Sequence, residues 1–121
     1  MEKKLSEYNS SYRFQRPPAE RVELERVFNA YVDEALAKAA ELRVERGKGY
    51  NSRVAVIDYF PHGEQDLIYE LFKKLLRTEN AIIAEAEGED IDGRVEDGIL
   101  DGINYFTFLY AFYKMRREGL I

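Results

Sequence analysis

The stretch RVEDGILDGINYFTFLYAFYKMRR, residues Arg94–Arg117, decides the fold that this sequence predicts. Its apolar and aromatic residues recur at steps of three and four, the spacing of one face of an α-helix. The members of this stripe are Ile99, Ile103, Phe106, Tyr110 and Tyr113. We therefore expect a long third helix whose stripe faces the core.

A polar row follows the same helix on a neighbouring face. Asp97, Asp101 and Asn104 are spaced four and three residues apart, so two carboxylates and an amide project side by side. The role of such a row depends on the side chains that face it, and these come from the helix before it.

A second helix is predicted over residues 65–87, and its apolar residues form a broad face. They are Leu67, Ile68, Leu71, Phe72, Leu75, Ile82 and Ile83. Glu70, Lys74 and Arg77 form another stripe, with Lys73 beside it. If this helix and the third pack antiparallel across the loop at 88–93, Lys74 and Arg77 could face Asp97 and Asp101.

A first helix is predicted over residues 19–46, after a pair of prolines that suits a helix start. Its stripe is Leu24, Phe28, Tyr31, Ala35, Ala39 and Leu42. Glycines in GKGYN, residues 47–51, predict a turn that ends this helix. In that turn, Lys48 could reach an anion and Tyr50 could stack on a base.

The segment VAVIDYF, residues 54–60, has strand-forming composition, but no second convincing strand exists to pair with it. We expect a short helix or extended linker there. The fold class predicted is all-α, with three long helices and antiparallel packing of the last two. His62 is the only histidine and is weak evidence for a metal site, and the loop GEDIDG is too short for a calcium-binding EF-hand.

Length and charge limit the remaining possibilities. The 121 residues allow one helical domain, over 19–121, preceded by an N-terminal arm, residues 1–18. The absence of cysteine excludes disulfides, and no apolar run is long enough to span a membrane. The start of the sequence has no signal-peptide pattern, which predicts a cytoplasmic protein. A net charge of -5 makes a nucleic-acid partner unlikely.

The facing charges have two interpretations at this stage. One is an ion-pair network that fixes the register of the helices. The other is a site in which Glu70, Asp97 and Asp101 hold magnesium while Lys74 and Arg77 neutralise phosphates. A nucleoside ring would then stack on Tyr50 or Tyr105.

Residues 47–113, about half of the chain, resemble a known family. KGYN at 48–51, ELFKKLLR at 70–77 and EDGILDGINY at 96–105 are similar to the nucleotide modification associated domain 1 family of phages and bacteria. The pattern DxxxDxxNY is the most specific part. The resemblance implies a role in nucleotide metabolism and a distant likeness to all-α nucleotide pyrophosphohydrolases of the MazG type. Those enzymes carry an EExxE run, where this chain has only Glu70.

Three classes of function follow. The first is a nucleotide-handling, phosphohydrolase-like enzyme, for which we assign no catalytic residue. The second is a protein that binds or sequesters a nucleotide through residues such as Lys48, Tyr50, Lys74, Arg77, Asn104 and Tyr105, without turnover. The third is a helical interaction protein. In each class we expect a homo-oligomer, because aromatic side chains point all round the third helix.

Overall fold

The computed structural model describes residues 17–49 and 55–121, and all regular structure in these two ranges is helical. In chain order the elements are α1 (Pro18–Gly49), a 3₁₀ helix (Val56–Tyr59), α2 (Glu64–Ala86) and α3 (Arg94–Arg117). The predicted all-α fold is confirmed, and the segment with strand propensity forms the short 3₁₀ helix. No helix in the described ranges is long and apolar enough to cross a membrane.

The helix bounds agree with the sequence except at the end of α1. α3 begins and ends as predicted, and α2 is displaced by one residue. The prediction that a turn begins at residue 47 was wrong, because α1 continues through Gly47 to Gly49. A glycine costs a helix only about 1 kcal/mol relative to alanine, so it does not by itself end a long one. Residues 1–16 of the predicted arm, 1–18, and residues 50–54 lie outside the described ranges.

α2 and α3 pack against each other in antiparallel orientation, and α1 crosses α3. Thr78 of α2 lies directly against Gly98 of α3, where even an added Cβ would collide with the threonine hydroxyl. The helices can therefore approach closely at this point. α1 contacts α3 through the second half of its length, where Lys38 pairs with Glu96 and Ala39 is buried.

The apolar core is small. Five apolar side chains are buried among the described residues: Ala39, Leu67, Ile91, Leu100 and Phe112. Phe60, just after the 3₁₀ helix, extends this core by packing on the side of α3, with ring centroids 6.0 to 6.2 Å from those of Tyr105, Phe108 and Phe112. Aromatic rings at this separation attract each other in edge-to-face or tilted arrangements.

The apolar stripe of α3 does not face the core, which corrects the central expectation from sequence. Phe106 and Tyr110 are 62% and 65% exposed, whereas Asp101 and Asn104 are 8% exposed. Residues two positions apart on an α-helix point in nearly opposite directions. Turning Asp101 towards the other helices therefore turns Ile99 towards the surface. Of the polar row, Asp101 and Asn104 lie on the buried face and Asp97 is exposed.

The stripe of α1 is buried over only half of its length. Ala39 is fully covered, and Ala35 and Leu42 are partly covered. Phe28 and Tyr31, towards the start of the helix, are each 65% exposed. The prediction of a core-facing stripe therefore holds for the end of α1 that crosses α3 and is wrong for its beginning.

Candidate functional site: a polar junction and the pocket beside it

One carboxylate joins all three helices. Arg46 of α1 donates a hydrogen bond to Oδ1 of Asp101, and Nζ of Lys74 in α2 lies 3.1 Å from Oδ2. The side chains of Asp101 and Lys74 are mostly enclosed, so water screens this pair little, whereas Arg46 is half-exposed. Each carboxylate oxygen is thus paired with one cation from a different helix. Asp101 acts as a structural junction.

Asn104 makes the second buried polar contact between α3 and α1. Its Nδ2 donates a hydrogen bond of 3.0 Å to the backbone carbonyl of Ala39, and both residues are buried. The small side chain of Ala39 lets the amide reach the helix backbone. One turn further along α3, the hydroxyl of Thr107 donates to the carbonyl of Asn104 at 2.7 Å. The predicted ligand-binding residue Asn104 therefore takes part in helix packing.

Exposed ion pairs reinforce the same contacts from outside. Nζ of Lys38 donates to Glu96 at 2.9 Å, and this hydrogen bond raises the pKa of Lys38 above its ordinary value. At the other end of α3, Arg116 pairs with Glu64 at the start of α2, which raises the pKa of the guanidinium. Both pairs connect different helices, but solvent-exposed pairs of this kind contribute little to stability.

An open pocket of about 510 Å³ lies beside the junction, between α2 and the first turns of α3. The four residues that the sequence predicts to face each other all line it: Lys74, Arg77, Asp97 and Asp101. Arg94, at the start of α3, supplies a third cation to the same pocket. The pocket therefore combines three positive and three negative side chains, the third acid being Glu89 in the loop between α2 and α3.

These side chains differ in their availability to a ligand. Both oxygens of Asp101 are paired, and Lys74 is one of its partners. Arg94 donates its Nε to the carbonyl of Ile91 at 2.8 Å, which fixes the side chain and leaves its two terminal nitrogens. Arg77 and Asp97 are exposed, and neither forms an ion pair with another described residue. A ligand would meet Arg77, Arg94, Asp97 and the exposed Glu89 first.

The other predicted site residues lie elsewhere or outside the described ranges. Glu70 pairs with Lys73 at 2.8 Å and does not line the pocket, so it is not grouped with Asp97 and Asp101. Among the described residues, no three His, Cys, Asp or Glu side chains are grouped to hold a metal ion. Tyr105 packs on Phe60, with Lys74 6.0 Å from its ring centre. Tyr50 and the side chain of Lys48 are not described.

Sequence reasoning missed two residues of this region. Arg46 belongs to a charged row on α1 of the kind that usually faces solvent, and no local pattern distinguishes it. Arg94 could have been found, because it precedes Asp97 by three residues and Asp101 by seven, which places all three on one side of α3. Because Arg94 is basic and the other two residues are acidic, a search for a row of like side chains does not connect them.

Comparison of the chain with protein-family models, with curated proteins and with solved structures finds no match. The resemblance carried by DxxxDxxNY thus stays a prediction from the sequence. Arguments about function must rest on the pocket and its surroundings.

Proposed function

We propose that this protein binds a nucleotide or a closely related phosphorylated small molecule, with the phosphates in the pocket between α2 and α3. The observation that carries the proposal is the set of three cations, Lys74, Arg77 and Arg94, around one open pocket. A volume of about 510 Å³ falls in the range of small-molecule sites. Guanidinium groups suit phosphates because they donate two parallel hydrogen bonds.

The positive charge that remains for a ligand comes from the two arginines, and the same lining also holds the acids Glu89 and Asp97. Lys74 is already compensated by Asp101, which lies 3.1 Å away. Arg77 has no acidic partner among the described residues, and Arg94 keeps its terminal nitrogens. Two arginines on facing helices can grip a diphosphate or triphosphate from both sides, which agrees with the nucleotide role that the family resemblance implies.

Magnesium enters the proposal through Asp97. Mg²⁺ in nucleotide sites is commonly held by one or two carboxylates together with phosphate oxygens and water. Asp97 has a carboxylate without an ion-pair partner in the described ranges, whereas both oxygens of Asp101 are paired. A metal–nucleotide complex would therefore use Asp97 and its own phosphates. Glu70, paired with Lys73, is not needed.

Binding is better supported than hydrolysis. Two-metal phosphoryl chemistry needs several free carboxylates to hold the ions and position the water. In this pocket Asp101 is engaged by Arg46 and Lys74, which leaves Asp97 and Glu89 as the acids of the described lining without an ion-pair partner. We therefore propose a binding or sequestering protein, in line with the single acid where MazG-type enzymes have EExxE.

The test is a thermal-shift series with nucleoside triphosphates and inorganic pyrophosphate, each with and without magnesium. A ligand present at 100 times its Kd stabilises the native state by about 2.7 kcal/mol. Arg77→Met should keep the ligand-free midpoint, because the side chain is exposed and has no ion-pair partner among the described residues. It should weaken binding about tenfold or more through lost charge-assisted hydrogen bonds. Asp97→Asn should remove the magnesium-dependent part of the shift.

Arg43→Met is the matched control, because Arg43 is an exposed arginine of α1 that does not line the pocket. Its ligand response should equal that of the parent protein. A parent protein that no phosphate compound stabilises would refute the proposal, as would an undiminished response in Arg77→Met. Magnesium-dependent release of phosphate or pyrophosphate would show that the protein hydrolyses the nucleotide and does not merely bind it.

A further inference from the structure

A second, apolar depression lies between α2 and α3, and no residue of α1 lines it. This apolar groove has a volume of about 430 Å³, and its walls are Ile68, Leu71, Phe72, Leu75, Ile99, Ile103 and Phe106. Gly102 forms part of its floor. Lys74, the one charged residue in its lining, is paired with Asp101. The groove contains Ile99, Ile103 and Phe106, three of the five members of the apolar stripe of α3 that the sequence places in the core.

The groove and its rim expose as much apolar surface as a stable interface requires. Ile68 and Phe72 are each 59% exposed, Leu75 is 70%, Ile99 is 46% and Phe106 is 62%. With Tyr110 on the rim, and about 150 to 250 Å² for a whole side chain of this size, these residues expose on the order of 700 Å². Each partner of a standard protein interface buries roughly 800 Å². The largest apolar patch of a typical monomer is smaller, roughly 300 to 600 Å².

We propose that a second copy of this chain covers the groove, in a two-fold symmetric contact in which the same groove meets itself. A symmetric contact brings each surface against its own copy, so like charges would repel. Although the chain has a net charge of -5, the lining of the groove contains no acidic residue. The surface is therefore compatible with itself.

Gly102 gives the contact a specific geometry. A Cβ added to Gly102 would meet no other atom within 4 Å, so the floor of the groove is open above it. Glycine on a helix surface lets another helix approach closely. We place α3 of the partner across this position, with Phe72 and Phe106 as the side chains that it covers. This inference is independent of the phosphate pocket.

The first measurement is the mass of the parent protein by light scattering during size-exclusion chromatography. We expect twice the 14.2 kDa of the chain. A mass of one chain at all concentrations up to the highest attainable would overturn the proposal, including the case in which the N-terminal arm covers the groove of its own chain. Co-elution with a different protein, in place of a second copy of the chain, would overturn the proposal as well.

The second measurement compares Gly102→Phe with Val44→Phe. A Cβ at position 102 meets nothing within 4 Å in the monomer, and the ring attached to it would occupy the proposed position of the partner helix. This variant should elute with the mass of one chain and keep its helical circular dichroism. Val44 of α1 is 59% exposed, as Phe72 is, and lies outside the groove. Val44→Phe should remain dimeric. A dimeric Gly102→Phe variant would refute the proposed contact.

A third measurement does not depend on disrupting the interface. The chain contains no cysteine, so Gly102→Cys introduces a single thiol at the centre of the groove. A short bis-maleimide should cross-link this variant into a covalent dimer, and Val44→Cys under the same conditions should stay monomeric on a denaturing gel. Equal cross-linking of the two variants, or none at position 102, would contradict the two-fold contact.

Discussion

Asp101 shows how a single side chain can determine which face of a helix is buried. Its carboxylate lies between a guanidinium of α1 and an ammonium of α2, and the residue is 8% exposed. Removing charges from water is costly, and the cost is recovered only while every partner is present and well placed. The stability of this junction therefore depends on the negative charge and on both acceptor oxygens.

Asp101→Asn should lower the free energy of unfolding by about 2 to 4 kcal/mol, measured by urea denaturation without any ligand. The amide keeps the shape of the carboxylate but presents one NH₂ group to a cation, so a donor meets a donor. The expected loss stays below the largest values because Arg46 is half-exposed and can be rehydrated.

Asp97→Asn is the control for this measurement. Asp97 lies one turn earlier on the same helix, is exposed and has no described ion-pair partner, so its change should cost less than about 1 kcal/mol through the helix dipole. Equal losses in the two variants would show that Asp101 has no special structural role. Because a change at Asp101 would destabilise the fold even without a ligand, Asp97 is the informative position for a test of ligand binding.

At the level of elements, Gly63 sets the entry of the chain into α2. It precedes the first helical residue with φ 59°, a left-handed conformation that side chains rarely adopt. A Cβ at this position would also lie 3.3 Å from the ring of Phe112, a core residue of α3. Backbone conformation and packing both require glycine here, and the aromatic core under Phe60 depends on this close approach.

Gly63→Ala should therefore destabilise the protein by about 1 to 3 kcal/mol, the usual cost of a strained backbone position. Gly47→Ala is the matched substitution, since Gly47 lies inside α1 with helical backbone and a Cβ there would meet nothing within 4 Å. That change should be neutral or stabilise by up to about 1 kcal/mol. Thermal unfolding of both variants followed by circular dichroism measures the difference in sign, and a neutral Gly63→Ala would contradict the argument.

The sequence predicts the helices better than it predicts their orientation. The spacing of apolar residues in α2 and α3 locates both helices to within one residue, because periodicity is a local property. The stripe through Ile99 and Phe106 is equally clear, yet the periodicity does not say whether the core of the same chain or another surface covers it. Asp101 decides this through Arg46 and Lys74, which precede it in the chain by 55 and 27 positions. No local pattern encodes such distant partners.

The side chains that meet in the candidate pocket could also be predicted only in part from the sequence. The steps of four and three that bring Lys74 next to Arg77, and Asp97 next to Asp101, follow from helix geometry, and the short loop fixes the antiparallel packing. The grouping of Glu70 with the two aspartates did not follow, because Glu70 lies one turn further from the loop and finds Lys73 on its own helix. Spacing places residues on a face, but only packing decides which of them meet.

For the whole molecule, a core of five apolar side chains in the described ranges leaves the single chain with little hydrophobic stabilisation. Covering a residue such as Phe72 or Leu75 contributes on the order of 1 to 2 kcal/mol for the fraction now exposed. Several such residues in the apolar groove could supply as much as the internal core. Folding and association should then be coupled, with a single chain that still folds alone and a dimer that is markedly more stable.

Coupled folding and association make the melting temperature depend on protein concentration. Raising the concentration a hundredfold should stabilise the dimer by about 2.7 kcal/mol. With an unfolding entropy of about 2.1 cal/mol/K per residue over both chains, the midpoint should rise by about 5 °C. Differential scanning calorimetry and circular dichroism at the two concentrations measure this rise.

The Gly102→Phe variant should melt at a lower temperature that does not change with concentration, because its folding equilibrium involves one chain. A parent protein whose midpoint is equally constant would mean that the groove is not stabilised by a second copy, and the stability of the fold would then have to come from within one chain.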